Sequence, residues 1–147
     1  MSKLITPYIL EKEYRCRCCR KLPPDFYVDG GDLFEHRLEY LMLFKYFQDI
    51  REAWGKPINI TSGYRCPERN KDEGGSYLSV HMWGLALDLD CKDDDEVSAM
   101  AAVIQGIAPN LRIGIYKGKK TFIHIDVGYM IQPRALDEWH KRARWTK

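Results

Sequence analysis

Leu85-Ala86-Leu87-Asp88-Leu89-Asp90 sets a leucine at every second position, and Phe122-Ile123-His124-Ile125-Asp126-Val127 repeats the same alternation. Successive side chains of a strand point to opposite faces, so Leu85, Leu87 and Leu89 share one face and Ala86, Asp88 and Asp90 the other. In the second stretch Ile123, Ile125 and Val127 face a core, and Phe122, His124 and Asp126 face away from it. Both ribbons are half-buried strands, each presenting carboxylate or imidazole from an otherwise apolar run. As sheet neighbours, they bring Asp88 and His124 face to face, with His81, in the loop just ahead of the first strand, closing over them.

Outward from these strands the chain reads as α+β, a small antiparallel sheet flanked by helices. Residues 32–54 place Leu33, Phe34, Leu38, Leu41, Met42, Phe44, Lys45 and Ile50 at mixed three- and four-residue spacing, with Asp32 as cap and Gly55 and Pro57 beyond the end, which predicts a helix. Residues 57–61 read as a short strand, 62–67 as the turn leaving it, and the polar stretch to Ser79, with Gly74-Gly75, as a loop. Asp93-Asp94-Asp95-Glu96 opens a second helix with acids at its positive end, closed by Gly106 and Pro109. Residues 111–116 and 121–127 are strands around the turn Lys117-Gly118-Lys119-Lys120, and 133–145 is expected to be a basic helical tail. Neither repeats nor low-complexity linkers divide the chain, so residues 1–147 are expected to form one domain.

Composition narrows the function. Of 147 residues, 45% are hydrophobic and 30% charged, and 23 lysines and arginines against 21 acids leave a net charge of +2. That balance gives no bulk field for gathering nucleic acid or anionic lipid. No stretch approaches the roughly 20 apolar residues of a membrane span. The start, with Pro7 and then Glu11-Lys12-Glu13, offers no secretory apolar segment, so synthesis in the cytoplasm with reduced thiols is expected. Five cysteines then leave three states open: free thiols, one late disulfide, or a small metal site. Cys16, Cys18 and Cys19 crowd one segment, in a C-x-C-C spacing that is not the C-x-x-C of a zinc knuckle, while Cys66 and Cys91 stand apart. A structural zinc or a disulfide joining the cluster to Cys66 stands beside buried or idle thiols.

His81, Asp88 and His124 together make a three-ligand zinc site with a vacant position, the catalytic rather than the structural arrangement. An oxygen ligand in place of sulfur suits an ion that polarises a carbonyl and activates water. A lone His-x-Asp on a strand is ordinarily a surface pair. The combination of all three in one ordered pattern is what gives the metal reading its weight.

Ser79-Val80-His81-Met82-Trp83-Gly84-Leu85-Ala86-Leu87-Asp88 fits S-x-H-x-x-G-x-A-x-D, and Phe122-Ile123-His124-Ile125-Asp126-Val127-Gly128 fits a downstream H-x-D element. Both resemble the signatures of the zinc D-alanyl-D-alanine carboxypeptidase family, within the wider group that holds lysostaphin-type peptidases and hedgehog domains. Ile60-Thr61-Ser62-Gly63-Tyr64-Arg65-Cys66-Pro67, with Asn70 and Gly74-Gly75, is similar to the S-G-Y-R-x-P and G-G stretches of short phage and prophage members, as is the cysteine-rich segment before the first helix.

The resemblance implies a hedgehog-like metallopeptidase fold and hydrolysis of D,D or L,D bonds in peptidoglycan stem peptides, with His81, Asp88 and His124 as zinc ligands. It puts Arg65 where relatives hold the scissile carbonyl or the substrate carboxylate, a place where a guanidinium stabilises a developing oxyanion. Ser79 is expected to bind substrate or orient the ligand loop, and Gly84 and Ala86 to be small because backbone and metal approach closely. Many relatives carry a Glu or His base just before the last ligand, where this chain has Thr121 and Phe122. Asp126 is then either the base or the partner that holds the His124 tautomer, with Glu73 and Glu68, in the loop ahead of His81, as the other candidate carboxylates. The resemblance also leaves a non-catalytic reading, a zinc-fold module that binds cell-wall peptide or a protein partner. A monomer acting on the wall after phage-mediated release, with a second, structural zinc at Cys16, Cys18, Cys19 and Cys66, completes the expectations.

Overall fold

In the computed structural model, which describes residues 3–23, 26, 37–75, 79–128 and 144–147, Leu85, Leu87 and Leu89 are fully buried, as are Ile113, Ile123, Ile125 and Val127. These side chains form the inner face of a five-stranded sheet. In chain order its strands are β3 (Ile60–Ser62), β4 (Ala86–Asp90), β5 (Arg112–Tyr116), β6 (Phe122–Asp126) and β7 (Arg144–Thr146); β1 (Leu4–Thr6) and β2 (Ile9–Leu10) make a separate hairpin. The spatial order is β3-β4-β6-β5-β7, antiparallel except that β7 lies parallel to β5.

The segment 144–146 is therefore strand, not the end of a helical tail; it adds to the β5 edge with Gly114 opposite Trp145. The rest of the expected tail helix lies outside the described residues. The parallel edge explains the difference, because a strand that only extends a sheet edge has no need of an apolar alternation.

Helices cover the inner face. In α4 (Asp94–Ile107) the buried residues Val97, Met100, Ala101 and Ile104 follow helical spacing, and the Asp93 carboxylate accepts the Glu96 N–H at 2.8 Å to cap the first turn. α4 packs on β5 and β6, and α2 (Arg37–Trp54) packs on α4. The inward stripe of α2 is Tyr40, Leu43, Phe44, Phe47 and Ile50. Leu38 and Leu41, part of the apolar pattern read from sequence, are instead 62% and 58% exposed. The aromatic positions decide the rotation of the helix, since each buries more area than a leucine.

A further difference lies between 62 and 79. The polar stretch read as a loop contains α3 (Pro67–Asp72), with Pro67 at its first turn and Cys66 as N-cap. One buried side chain, Asn70, docks it, so there is almost no apolar periodicity to see. Tyr14, at the end of α1 (Glu11–Tyr14), ties this region together. Its carbonyl accepts the Tyr64 N–H at 2.7 Å, its hydroxyl donates to the Gly84 carbonyl, and a Cβ on Gly63 would lie 2.5 Å from its carbonyl oxygen. No helix among the described residues is long and apolar enough to cross a membrane.

Candidate metal centre and cleft

Register places the site. Asp88 of β4 pairs directly with His124 of β6, which pairs in turn with Gly114 of β5. One step along the strands, Ala86, Asp126 and Arg112 form a second row, and one step the other way Asp90, Phe122 and Tyr116 form a third. The outer face is thus a ladder of polar and aromatic side chains over an apolar sheet. Asp90, which shares the face of Asp88, is exposed at the strand end.

His81 arrives from a 3-10 turn, Val80–Trp83. Ser79 caps that turn, its hydroxyl oxygen accepting the His81 N–H at 3.3 Å, and Gly84 ends it at φ 74°. A side chain at Gly84 would strike Pro23 and the Tyr14 hydroxyl. Its small size therefore serves the turn and the Tyr14 packing rather than an approach to metal.

His81 Nε2, Asp88 Oδ1 and His124 Nδ1 converge, at 3.1 Å from each imidazole nitrogen to the carboxylate and 3.2 Å between the two nitrogens. All three residues are buried. The opposite ring nitrogens set the tautomers. His81 Nδ1 lies 2.7 Å from the Gly63 carbonyl and His124 Nε2 lies 2.6 Å from Asp126 Oδ2, so each donates its N–H outward and turns a bare lone pair to the centre. Three acceptors that close together need a cation among them. A zinc bound to two imidazoles and a carboxylate spaces its ligand atoms about 3.3 Å apart in a tetrahedron, close to the spacing found. The set fits a three-ligand zinc site open on its cleft side.

The ionisation of the three residues follows from the same contacts. Burial drives the His81 imidazole below its ordinary value, with His124 and Arg65 adding to the effect of burial against the pull of Asp88. For His124, burial is outweighed by hydrogen bonds and charge from Asp126 and Asp88, which push it up to about 9. Asp88 is held well below the usual carboxylate range: burial opposes ionisation, and the two histidines overcome it.

Arg65 grips the other oxygen of the ligand carboxylate. Its Nη2 donates to Asp88 Oδ2 at 2.9 Å, Nε to Ser62 Oγ at 2.9 Å and Nη1 to Asn70 Oδ1 at 3.4 Å. Asn70 and Arg112 were not singled out from sequence as site residues. Arg112 Nε lies 3.1 Å from Asp126 Oδ2, and Asp126 also accepts the Gly128 N–H at 2.9 Å. The alternation Arg112-Ile113-Gly114-Ile115-Tyr116 carries the signal for it, because Ile113 and Ile115 facing the core put Arg112 on the site face. Asp126 is fully buried behind the His124 ring.

A cleft of about 460 Å³ opens over the triad, lined by Arg65, Glu73, Ser79, Tyr116, Lys120, Phe122 and Lys147 beside the three ligands. Phe122 stacks on Tyr116 with ring centres 4.1 Å apart. Among the described lining residues the carboxylates are Asp88 and Glu73, and Glu68 is not among them.

A family model for peptidase M15 matches residues 28–126, spanning β3, β4, β5, β6 and all three residues of the triad. The chain belongs to the M15 peptidases. M15 enzymes are zinc-dependent metallopeptidases, and His81, Asp88 and His124 are where this one gathers a metal-ligand set in its cleft. No curated protein sequence matches the chain.

The cysteines fall into two environments. Cys91 is buried against Met100, and burial, with Glu96, Asp90 and Asp93 nearby, pushes its thiol up to about 12, leaving it inert. Cys16, Cys19 and Cys66 bring their sulfurs within 4.8 Å of one another. Cys16 and Cys19 are themselves a C-x-x-C pair inside the C-x-C-C run, so the spacing does not weigh against a metal.

Proposed function

We propose that this M15 peptidase hydrolyses D,D or L,D bonds in peptidoglycan stem peptides. The observation that carries the reading is the triad, with both imidazole lone pairs turned by their partners toward one point on the floor of a cleft. The cleft wall supports that substrate class: Arg65, Lys120 and Lys147 offer cations to a peptide bearing free carboxylates, and the Tyr116–Phe122 stack offers an apolar shelf.

His81, Asp88 and His124 would hold zinc, which when bound polarises the scissile carbonyl and acidifies water. Arg65, already aligned by Ser62 and Asn70, stabilises the negative charge that develops on the carbonyl oxygen. Glu73 takes the water's proton and returns it to the leaving amine. Ser79 holds the His81 turn, and Asp126 holds the His124 tautomer rather than acting as base, because the imidazole stands between it and the cleft.

Arg65→Ala is expected to lower kcat by about 100- to 1,000-fold when assayed with zinc in excess. Arg65→Lys should recover little of this, since an ammonium cannot span Ser62, Asn70 and Asp88 together. A change confined to KM would remove the oxyanion role. For Asp126→Asn, zinc affinity should fall about 10- to 100-fold, with turnover restored by excess zinc. Undiminished affinity with lost turnover would instead make Asp126 the base.

The function itself is tested by incubating zinc-loaded protein with purified peptidoglycan and following products by mass spectrometry. Released D-alanine or shortened stem peptides, abolished by a chelator and restored by zinc, are the expected result. No product from protein carrying zinc at the triad would favour the non-catalytic module that binds wall peptide.

A further inference from the structure

We infer that Cys16, Cys19 and Cys66 form a second, structural metal site, a thiolate site for zinc or a similarly soft dication, which clamps the amino-terminal segment to the loop bearing Arg65. Neither the triad nor the proposed peptidase chemistry requires these residues, and the inference stands independently of that activity.

Three geometric features converge on it. The first is the gathering of the sulfurs: Cys66 lies 50 residues from Cys16 in sequence, yet the three are mutually within 4.8 Å, with Cys18 exposed in the same short segment. The second is the turn that carries two of them. Cys16 N–H donates to the Lys21 carbonyl at 2.9 Å and Arg20 N–H to the Cys16 carbonyl at 2.8 Å, and Arg20 takes the left-handed φ of 60°. A short chain reversal that returns on its first cysteine and contains a C-x-x-C pair is a way of presenting two sulfurs to one ion. A non-glycine residue in the left-handed region has an energetic cost that something in the turn must offset. The third is the treatment of the Cys16 sulfur. It is fully buried, and the backbone N–H of Cys66 donates to it at 3.3 Å. A neutral thiol is a weak acceptor, whereas a thiolate attracts such a donor.

The side chain of Cys66 makes no capping bond to α3, which leaves its sulfur free for the cluster. Binding of a dication displaces the thiol protons to solvent and joins segments far apart in sequence, where a cross-link removes the most chain entropy. Its position matters to the cleft. Cys66 follows Arg65 directly, and the adjoining Tyr64 and Gly63 already rest on Tyr14, so the ion would complete a brace on the loop that aims the guanidinium at Asp88.

The test uses the full-length protein, purified under reducing conditions with zinc and then freed of loosely held metal. Two zinc per chain are expected, falling to one in His81→Ala and to one in the double variant Cys19→Ser/Cys66→Ser. Cobalt-loaded His81→Ala should still show a thiolate-to-cobalt charge-transfer band, and this arm needs no cysteine variant to fold. Three findings would each overturn the site: no such band in His81→Ala, a wild-type metal content of one per chain that Cys19→Ser/Cys66→Ser leaves unchanged, or a disulfide among Cys16, Cys19 and Cys66 in the zinc-loaded protein once the reductant is removed.

Discussion

His81→Ala is expected to remove zinc from the cleft and to lower peptide hydrolysis by about 1,000-fold or more, since a Lewis acid supplies several kcal/mol of transition-state stabilisation and each 1.4 kcal/mol is about tenfold in rate. The loss should be larger than a missing ligand alone would cause. His81 Nε2 stands 3.1 Å from Asp88 Oδ1 and 3.2 Å from His124 Nδ1, and its other nitrogen is anchored on the Gly63 carbonyl. Removing the ring leaves Asp88 and His124 to share a proton in place of an ion. Metal analysis alongside the activity assay checks this. A variant that keeps its cleft zinc and its rate would show that the ion, or the chemistry, lies elsewhere.

Glu73→Gln is expected to retain zinc and substrate binding while kcat falls by about 100- to 10,000-fold, the usual worth of a general base. Position singles out Glu73. Asp88 is committed to both histidines and Arg65, and Asp126 is fully buried between the His124 ring and Arg112. Thr121 and Phe122, in the places where many relatives carry the base, have no carboxylate or imidazole. Glu73 lines the cleft from the turn after α3, beside Arg65, and pairs with Arg69 one helical turn back. Gly75 keeps that turn close to Asn70, because a side chain there would collide with the Asn70 amide oxygen. Single-turnover kinetics of zinc-loaded Glu73→Gln decide the matter; an unchanged chemical step would remove Glu73 from the mechanism.

Much of the site was legible in sequence because the strands that carry it obey a period of two. Leucines at 85, 87 and 89 and isoleucines at 123 and 125 locate the inner face, and that alone puts Asp88 and His124 on the outer one. The pairing register then makes them direct neighbours, a fact of the sheet that no local pattern contains. Arg112 was equally readable by alternation, but an arginine at the start of a strand passes for a solvated end. α3 was not legible: its six residues carry one buried side chain, and that one is polar. In α2 the period was visible and the phase was not, because Leu38 and Leu41 look as apolar as the aromatic residues that fix which side turns inward. The edge strand β7 escaped for a further reason. It is recruited by backbone pairing to β5, and its Arg-Trp-Thr sequence has no pattern of its own. Among the cysteines, the C-x-x-C pair was hidden by the cysteine between its members.

The most direct test of the central claim is anomalous X-ray diffraction at the zinc absorption edge from crystals of the zinc-loaded protein. A peak about 2.0–2.2 Å from His81 Nε2, Asp88 Oδ1 and His124 Nδ1 is the expected result. Fully zinc-loaded crystals with no peak among those three atoms would contradict it.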